Sequence, residues 1–145
     1  MGRPTDEGRR RRALDQIRPY IERARRFSGW DFNSLNVRAL EPEPPWDYEA
    51  IARDYASRAE RVLDMGTGGG EAAGLTVDAQ EHAWKVAYAT LGDLVFQMLV
   101  TPWEVPDFDP EREIDTLLAL EDACGGEHGI VLTEHRYLMT AQKPG

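Results

Sequence analysis

Cysteine is almost absent from this chain: Cys124 is the only one among 145 residues. A single thiol excludes an intramolecular disulfide and mildly favours a reducing compartment. Also missing is any apolar run near the roughly 18 residues that a membrane span requires. The arginine-rich start is not followed by the hydrophobic stretch of a secretory leader, so the cytoplasm is the expected location. Internal repeats and long low-complexity tracts are absent. Histidine is scarce, and His82, His128 and His135 do not fall at metal-ligand spacing. Cys124 with His128 is too little for a zinc site, so no metal is expected. The acidic residues Asp107, Asp109, Glu111, Glu113 and Asp115 are not spaced like a calcium loop; they read as helix capping and a solvated face.

What is present suits a folded protein. Hydrophobic residues make up 41% of the chain, and four tryptophans are included. That composition suits one α/β chain with a moderate core. The net charge of −9 is unevenly spread. Residues 1–27 hold nine arginines against four acids, about +5, which leaves about −14 for the rest. The acidic body offers no broad phosphate-binding face. The basic segment, residues 1–26, reads as a helical arm, solvated and partly frayed, and it could also touch RNA or an acidic partner.

Periodicity sketches the elements. Leu14, Ile17, Ile21 and Ala24 fall at helical spacing, with Pro19 predicting a kink or a second start. Residues 27–45 read as an irregular connection. Asp47 is an N-cap for a helix whose apolar stripe is Tyr48, Ile51, Ala52, Tyr55 and Ala59. Residues 61–65 read as a strand, and 75–88 as extended at least at the start. Leu91, Leu94, Val95, Met98 and Leu99 form a helical stripe stopped by Pro102 and Pro106. Asp109-Pro110-Glu111 opens another helix with Ile114, Leu117 and Leu118 inward, ended by Gly125-Gly126. Residues 129–141 read as one long strand or a bent pair.

The densest signal is Val62-Leu63-Asp64-Met65-Gly66-Thr67-Gly68-Gly69-Gly70-Glu71, an apolar strand entering a glycine-rich loop. Glycine lets the backbone approach a ligand and leaves amide N–H groups free to face it. A parallel return after such a loop needs a crossover of a dozen or more residues. Here Glu71-Ala72-Ala73 meets Gly74 and the strand-like Leu75-Thr76-Val77 at once. The supporting unit is cut short near residues 71–74.

Asp64-Met65-Gly66-Thr67-Gly68-Gly69-Gly70 resembles motif I of the class I S-adenosylmethionine-dependent methyltransferases. Phe27-Ser28-Gly29-Trp30-Asp31-Phe32, Pro45-Trp46-Asp47-Tyr48, Thr101-Pro102-Trp103 with Val105-Pro106, and Glu134-His135-Arg136-Tyr137-Leu138 are similar to segments of a bacterial branch of that family. The resemblance implies an incomplete Rossmann-like fold over residues 27–145, mostly parallel, with N-terminal helices and its central portion absent. Its strands would then need a new pairing or a partner molecule. The chain would be an internally deleted form or part of a longer protein.

The resemblance further implies S-adenosylmethionine as cofactor, with Asp64 near its ammonium and Gly66, Thr67, Gly68 and Gly70 as loop contacts. No segment matches the family's ribose-holding acid or its adenine enclosure, and Glu71 and Asp78 do not take that role. A catalytic residue cannot be assigned: the three histidines are candidates by residue type only, and each is expected to be an ordinary one. Trp30, Trp46, Trp84 and Trp103 suit packing better than substrate stacking. Two functions follow. One is methyl transfer to an unidentified acceptor, a small molecule ahead of RNA. The other is a non-catalytic module, a homodimer or swapped oligomer, with an apolar surface near Leu91 to Trp103.

Overall fold

The computed structural model describes residues 6–29, 31–60 and 76–142. Among these, helices and strands mix as the composition implied. The helices are α1 (Asp6–Arg25), α2 (Tyr48–Arg58), α3 (Leu91–Val100) and α4 (Ile114–Cys124). The strands are β1 (Val37–Ala39), β2 (Thr76–Tyr88), β3 (Gly125–Gly126) and β4 (Gly129–Gln142). They form one sheet in the order β1-β2-β4-β3, and the sheet is antiparallel. The resemblance implies a mostly parallel sheet, and the described strands depart from that. For β3 and β4 the reason is connection length. Only Glu127 and His128 separate β3 from β4, with Gly126 opposite Gly129 and Gly125 opposite Ile130. So short a link permits only an antiparallel return. β1 pairs with the far end of β2, from Val37 opposite Tyr88 to Ala39 opposite Val86.

The chain divides into two compact units, the first made of Met1–Leu40 and Lys85–Leu132, the second of Glu41–Trp84 and Thr133–Gly145.

The first unit is built on α3, whose residues Leu91 to Phe96 are all buried. Its start is locked by a capping box. The Thr90 hydroxyl accepts from the Asp93 amide at 3.2 Å, and the Asp93 carboxylate accepts from the Thr90 amide at 3.1 Å. Asp93 is 3% exposed, and the Thr90 hydroxyl and the Asn36 amide supply it with further donors. Buried polar groups persist where they are satisfied in this way.

Helix α1 lies against α3 through Ala13, Ile17 and Ile21, all buried. Tyr20 rests on Gly92, where an added Cβ would come within 2.2 Å of the ring. Arg23 stacks over Phe96 at 4.2 Å, and Phe27 meets the same ring edge-on at 5.6 Å. Over its described residues the basic segment is therefore one helix, Asp6–Arg25, with one face packed and most of its arginines exposed. The helix does not restart at Pro19: it runs through it as one element, with Ile17 and Ile21 buried on either side.

Helix α4 buries Ile114, Leu117 and Leu118, as its spacing predicts. The Asp109 carboxylate accepts from the amides of Glu111 and Arg112 at 3.0 and 3.2 Å, which caps the turn before α4 rather than the helix itself, whose N-cap is Glu113. The regular helix begins only at Ile114, after a turn. Arg9 clasps both Asp122 oxygens at 2.5 and 2.7 Å, and Arg10 pairs with Asp115 at 3.1 Å. Gly129, at φ 98°, lies where a Cβ would meet the Tyr88 carbonyl at 2.1 Å. Only glycine fits there.

In the second unit Asp47 caps α2 as expected, accepting from the Ala50 amide at 3.0 Å. The expected buried stripe of α2 does not form. None of its residues is buried, and Tyr48 and Tyr55 are 69% and 57% exposed. Among the second unit's described apolar residues only Trp84 and Leu138 are buried. Residues 76–88 continue as strand beyond the point where the sequence pattern fades, and 129–142 form one long strand rather than a bent pair.

Candidate functional site

The second unit gathers aromatic side chains from three parts of the chain. Trp46 precedes α2, where Pro42-Glu43-Pro44-Pro45 holds the backbone away from regular structure. His82 and Trp84 lie two apart on β2, so they share one face of the strand. The Trp46 and His82 rings meet edge-on with centroids 6.1 Å apart, and His82 tilts toward Trp84 at 5.8 Å. His82 Nε2 donates to the Pro42 carbonyl at 2.8 Å, which fixes the ring. A cleft of about 420 Å³ opens beside these groups, lined by Glu43, Trp46, Tyr48, Trp84, Arg136 and Tyr137.

A hydrogen-bonded row runs from the same cleft. Tyr137, one of its lining residues, lies 3.4 Å by its hydroxyl from His135 Nδ1. The two rings are tilted with centroids 4.6 Å apart. His135 Nε2 in turn meets the Glu81 carboxylate at 2.5 Å. Because Glu81 can only accept, Nε2 carries the hydrogen, and neutral His135 then presents Nδ1 as an acceptor toward Tyr137. A carboxylate, an imidazole and a phenol so arranged can hold a ring in one tautomer and take a proton at Nδ1.

His135 and Tyr137 share a strand face at i and i+2, which the sequence shows; Glu81, some fifty residues earlier, is joined to them only by folding. The side chain of His135 is 40% exposed. Arg136, between them, pairs with Glu134 at 3.1 Å.

The other expectations distribute as follows. Asp64, Gly66, Thr67, Gly68 and Gly70 lie outside the described residues, as do Glu71, Trp30 and the strand expected at 61–65. Trp84 packs, at 8% exposure, whereas Trp103 is 61% exposed. His128 belongs to the first unit, where Nδ1 accepts from the Arg38 guanidinium at 2.8 Å and Nε2 faces Glu127 at 3.2 Å. Among the described residues no cluster of three metal-ligating side chains occurs, and no helix is long and apolar enough to cross a membrane.

The first unit has an apolar groove of its own, about 370 Å³, between the end of α3 and α4. Met98, Val105, Pro106, Phe108, Leu117 and Leu120 line it. The apolar surface expected from Leu91 onward is thus confined to its far end, since Leu91 to Phe96 form core.

No family model matches the chain, and neither a curated protein nor a solved structure matches it.

Proposed function

We propose that this chain is an S-adenosylmethionine-dependent methyltransferase of the class I type, or an internally deleted remnant of one, acting on a small-molecule acceptor ahead of RNA. The observation that carries the reading is the run Val62 to Glu71, apolar residues followed by Asp64 and the glycines of the loop. On this reading Asp64 meets the donor's ammonium, and Gly66, Thr67, Gly68 and Gly70 give its backbone room to approach. The loop would belong to what remains of a Rossmann-like sheet. In sequence it falls between α2 and β2, the two elements that with β4 supply or flank the aromatic cleft and the Glu81–His135–Tyr137 row. The bound donor would supply an activated methyl group. The chain's own part would be to position an acceptor and, through His135, to accept its proton.

Thermal unfolding with and without S-adenosylhomocysteine tests this. A ligand that binds only the native state raises the transition, by about 2.7 kcal/mol at a hundredfold excess over Kd. We expect a rise in the natural chain and none in Gly68→Val, whose methyl groups would fill the approach path. An unmoved transition in the natural chain sinks the donor assignment.

A second reading is a non-catalytic interaction module. It is favoured by Trp103 and Val105, 61% and 36% exposed, next to the apolar groove of the first unit. It predicts a cooperative transition that the ligand does not move, together with a concentration-dependent mass in light scattering. A constant monomer mass would count against it.

A further inference from the structure

The cleft of the second unit has a composition that the methyl-donor reading does not explain. Four of its lining residues are aromatic: Trp46, Tyr48, Trp84 and Tyr137. Two are indoles, the strongest side-chain partners for a cation, because the ring face carries the negative lobe of its quadrupole. The tyrosines are largely exposed, at 69% and 57%, so their faces remain accessible to a ligand. Trp84, at 8% exposure, is held firmly in place on β2. His82 braces the two indoles between which it lies, and its own Nε2 is tied to the Pro42 carbonyl.

Charge points the same way. The cleft contains one carboxylate, Glu43, and one guanidinium, Arg136. Arg136 is paired with Glu134 at 3.1 Å, so its charge is met locally. Glu43 makes no hydrogen bond or ion pair among the described residues. Among the described residues, the charge left without a partner at the cleft is therefore negative. The second unit as a whole carries eleven carboxylates against five basic side chains, about −6. A field of that sign concentrates cations at the surface.

We infer that this cleft is a binding site for an organic cation, an alkylated ammonium group seated on the Trp46 and Trp84 rings, flanked by Tyr48 and Tyr137 and countered by Glu43. None of these residues belongs to the 64–70 loop, so the inference stands or falls separately from methyl-donor binding. Aromatic faces reward a diffuse, weakly hydrated cation over a compact metal ion, whose hydration shell is costlier to remove.

The experiment uses the full chain and follows the indole N–H resonances of its tryptophans by ¹⁵N-resolved NMR. Tetramethylammonium chloride is the probe. Neopentyl alcohol serves as a neutral isostere, and sodium chloride matches ionic strength. The Trp46 and Trp84 resonances, assigned with Trp46→Phe and Trp84→Phe, are expected to shift saturably with the ammonium probe alone. Trp103, in the first unit, is expected not to move. Glu43→Gln and Tyr48→Leu remove exposed groups and so leave the fold intact; each should weaken the probe by about three- to tenfold. Equal shifts with neopentyl alcohol would overturn the inference, because the cleft would then be merely apolar. So would sodium chloride reproducing the shifts, a response confined to Trp103, or no saturable shift at all.

Discussion

The two units of this chain solve different problems. The first encloses Phe96, Ile17, Ile114 and Val95, each at or near zero exposure, and surrounds them with Leu91, Leu94, Leu117, Leu118 and Ile130. The second, over its described residues, buries Trp84 and Leu138 and leaves Tyr48, Tyr55, Tyr137 and Met139 open to solvent. Apolar burial near 25 cal/mol per Å² is the main favourable term in folding, so among the described residues the stabilising burial is concentrated in the first unit. Candidate chemistry is concentrated in the second, where exposed aromatics and hydrogen-bonded polar rows are free to meet a ligand. Ligand-handling regions are commonly drawn from the less stable part of a fold, since a surface that must bind cannot also be fully satisfied from within.

The widest gap between the units should appear in core truncations. Phe96→Ala removes the ring that Phe27 meets edge-on and Arg23 covers, and it is expected to cost about 3–5 kcal/mol in urea unfolding. For a domain of ordinary stability that is a large share of the total. Leu138→Ala in the second unit should cost about 2 kcal/mol, at the low end for such a truncation. Equal costs would break the contrast.

Helix caps offer a finer comparison, because both units use the same device. Thr90→Ala disrupts the capping box of a buried helix and should lower global stability by about 1 kcal/mol. Asp47→Ala removes the cap of α2, a helix with no buried residue, so it should accelerate α2 amide exchange while leaving the global midpoint in place. A matching fall in the midpoint would show that α2 is bound into the cooperative unit.

The smallest effect should come from the exposed pair of Arg9 and Asp122. Its hydrogen bonds hold the Asp122 carboxyl below the usual carboxylate range and push the Arg9 guanidinium up. A lowered carboxyl contributes stability above its unfolded-state value, and the contribution disappears as pH falls through the folded-state value. Asp122→Asn should therefore differ slightly from the natural chain at neutral pH. The difference should close in acid and shrink in high salt. A difference that persisted in acid would mean that the side chain acts by packing rather than by charge.

Much of the first unit was legible before folding was considered. The spacing of Leu91, Leu94 and Val95, the stop at Pro102, and the inward set Ile114, Leu117 and Leu118 all reappear as drawn. Those signals are local, and burial agrees with them. At Pro19 the local rule allows a kink or a second start, and the helix continues through it without a second start, with Ile17 and Ile21 buried on either side. In the second unit the stripe of α2 was a valid helical pattern, yet periodicity reports which residues share a face and not whether anything covers it. The resemblance implied a mostly parallel sheet and the described sheet is antiparallel; the two-residue link accounts for this at β3 and β4 alone.

The sequence by itself determined where the described helices fall, the cap at Asp47 and, with one cysteine, the absence of an intramolecular disulfide. These depend on side-chain size, backbone freedom and spacing within a few residues. Only the tertiary structure decided that Glu81 meets His135, that Trp46 joins Trp84 around His82, and that Gly92 receives Tyr20. Each of those contacts joins residues tens of positions apart. Such partners are chosen by strand pairing and helix packing across the whole fold, and no local pattern in the chain encodes them.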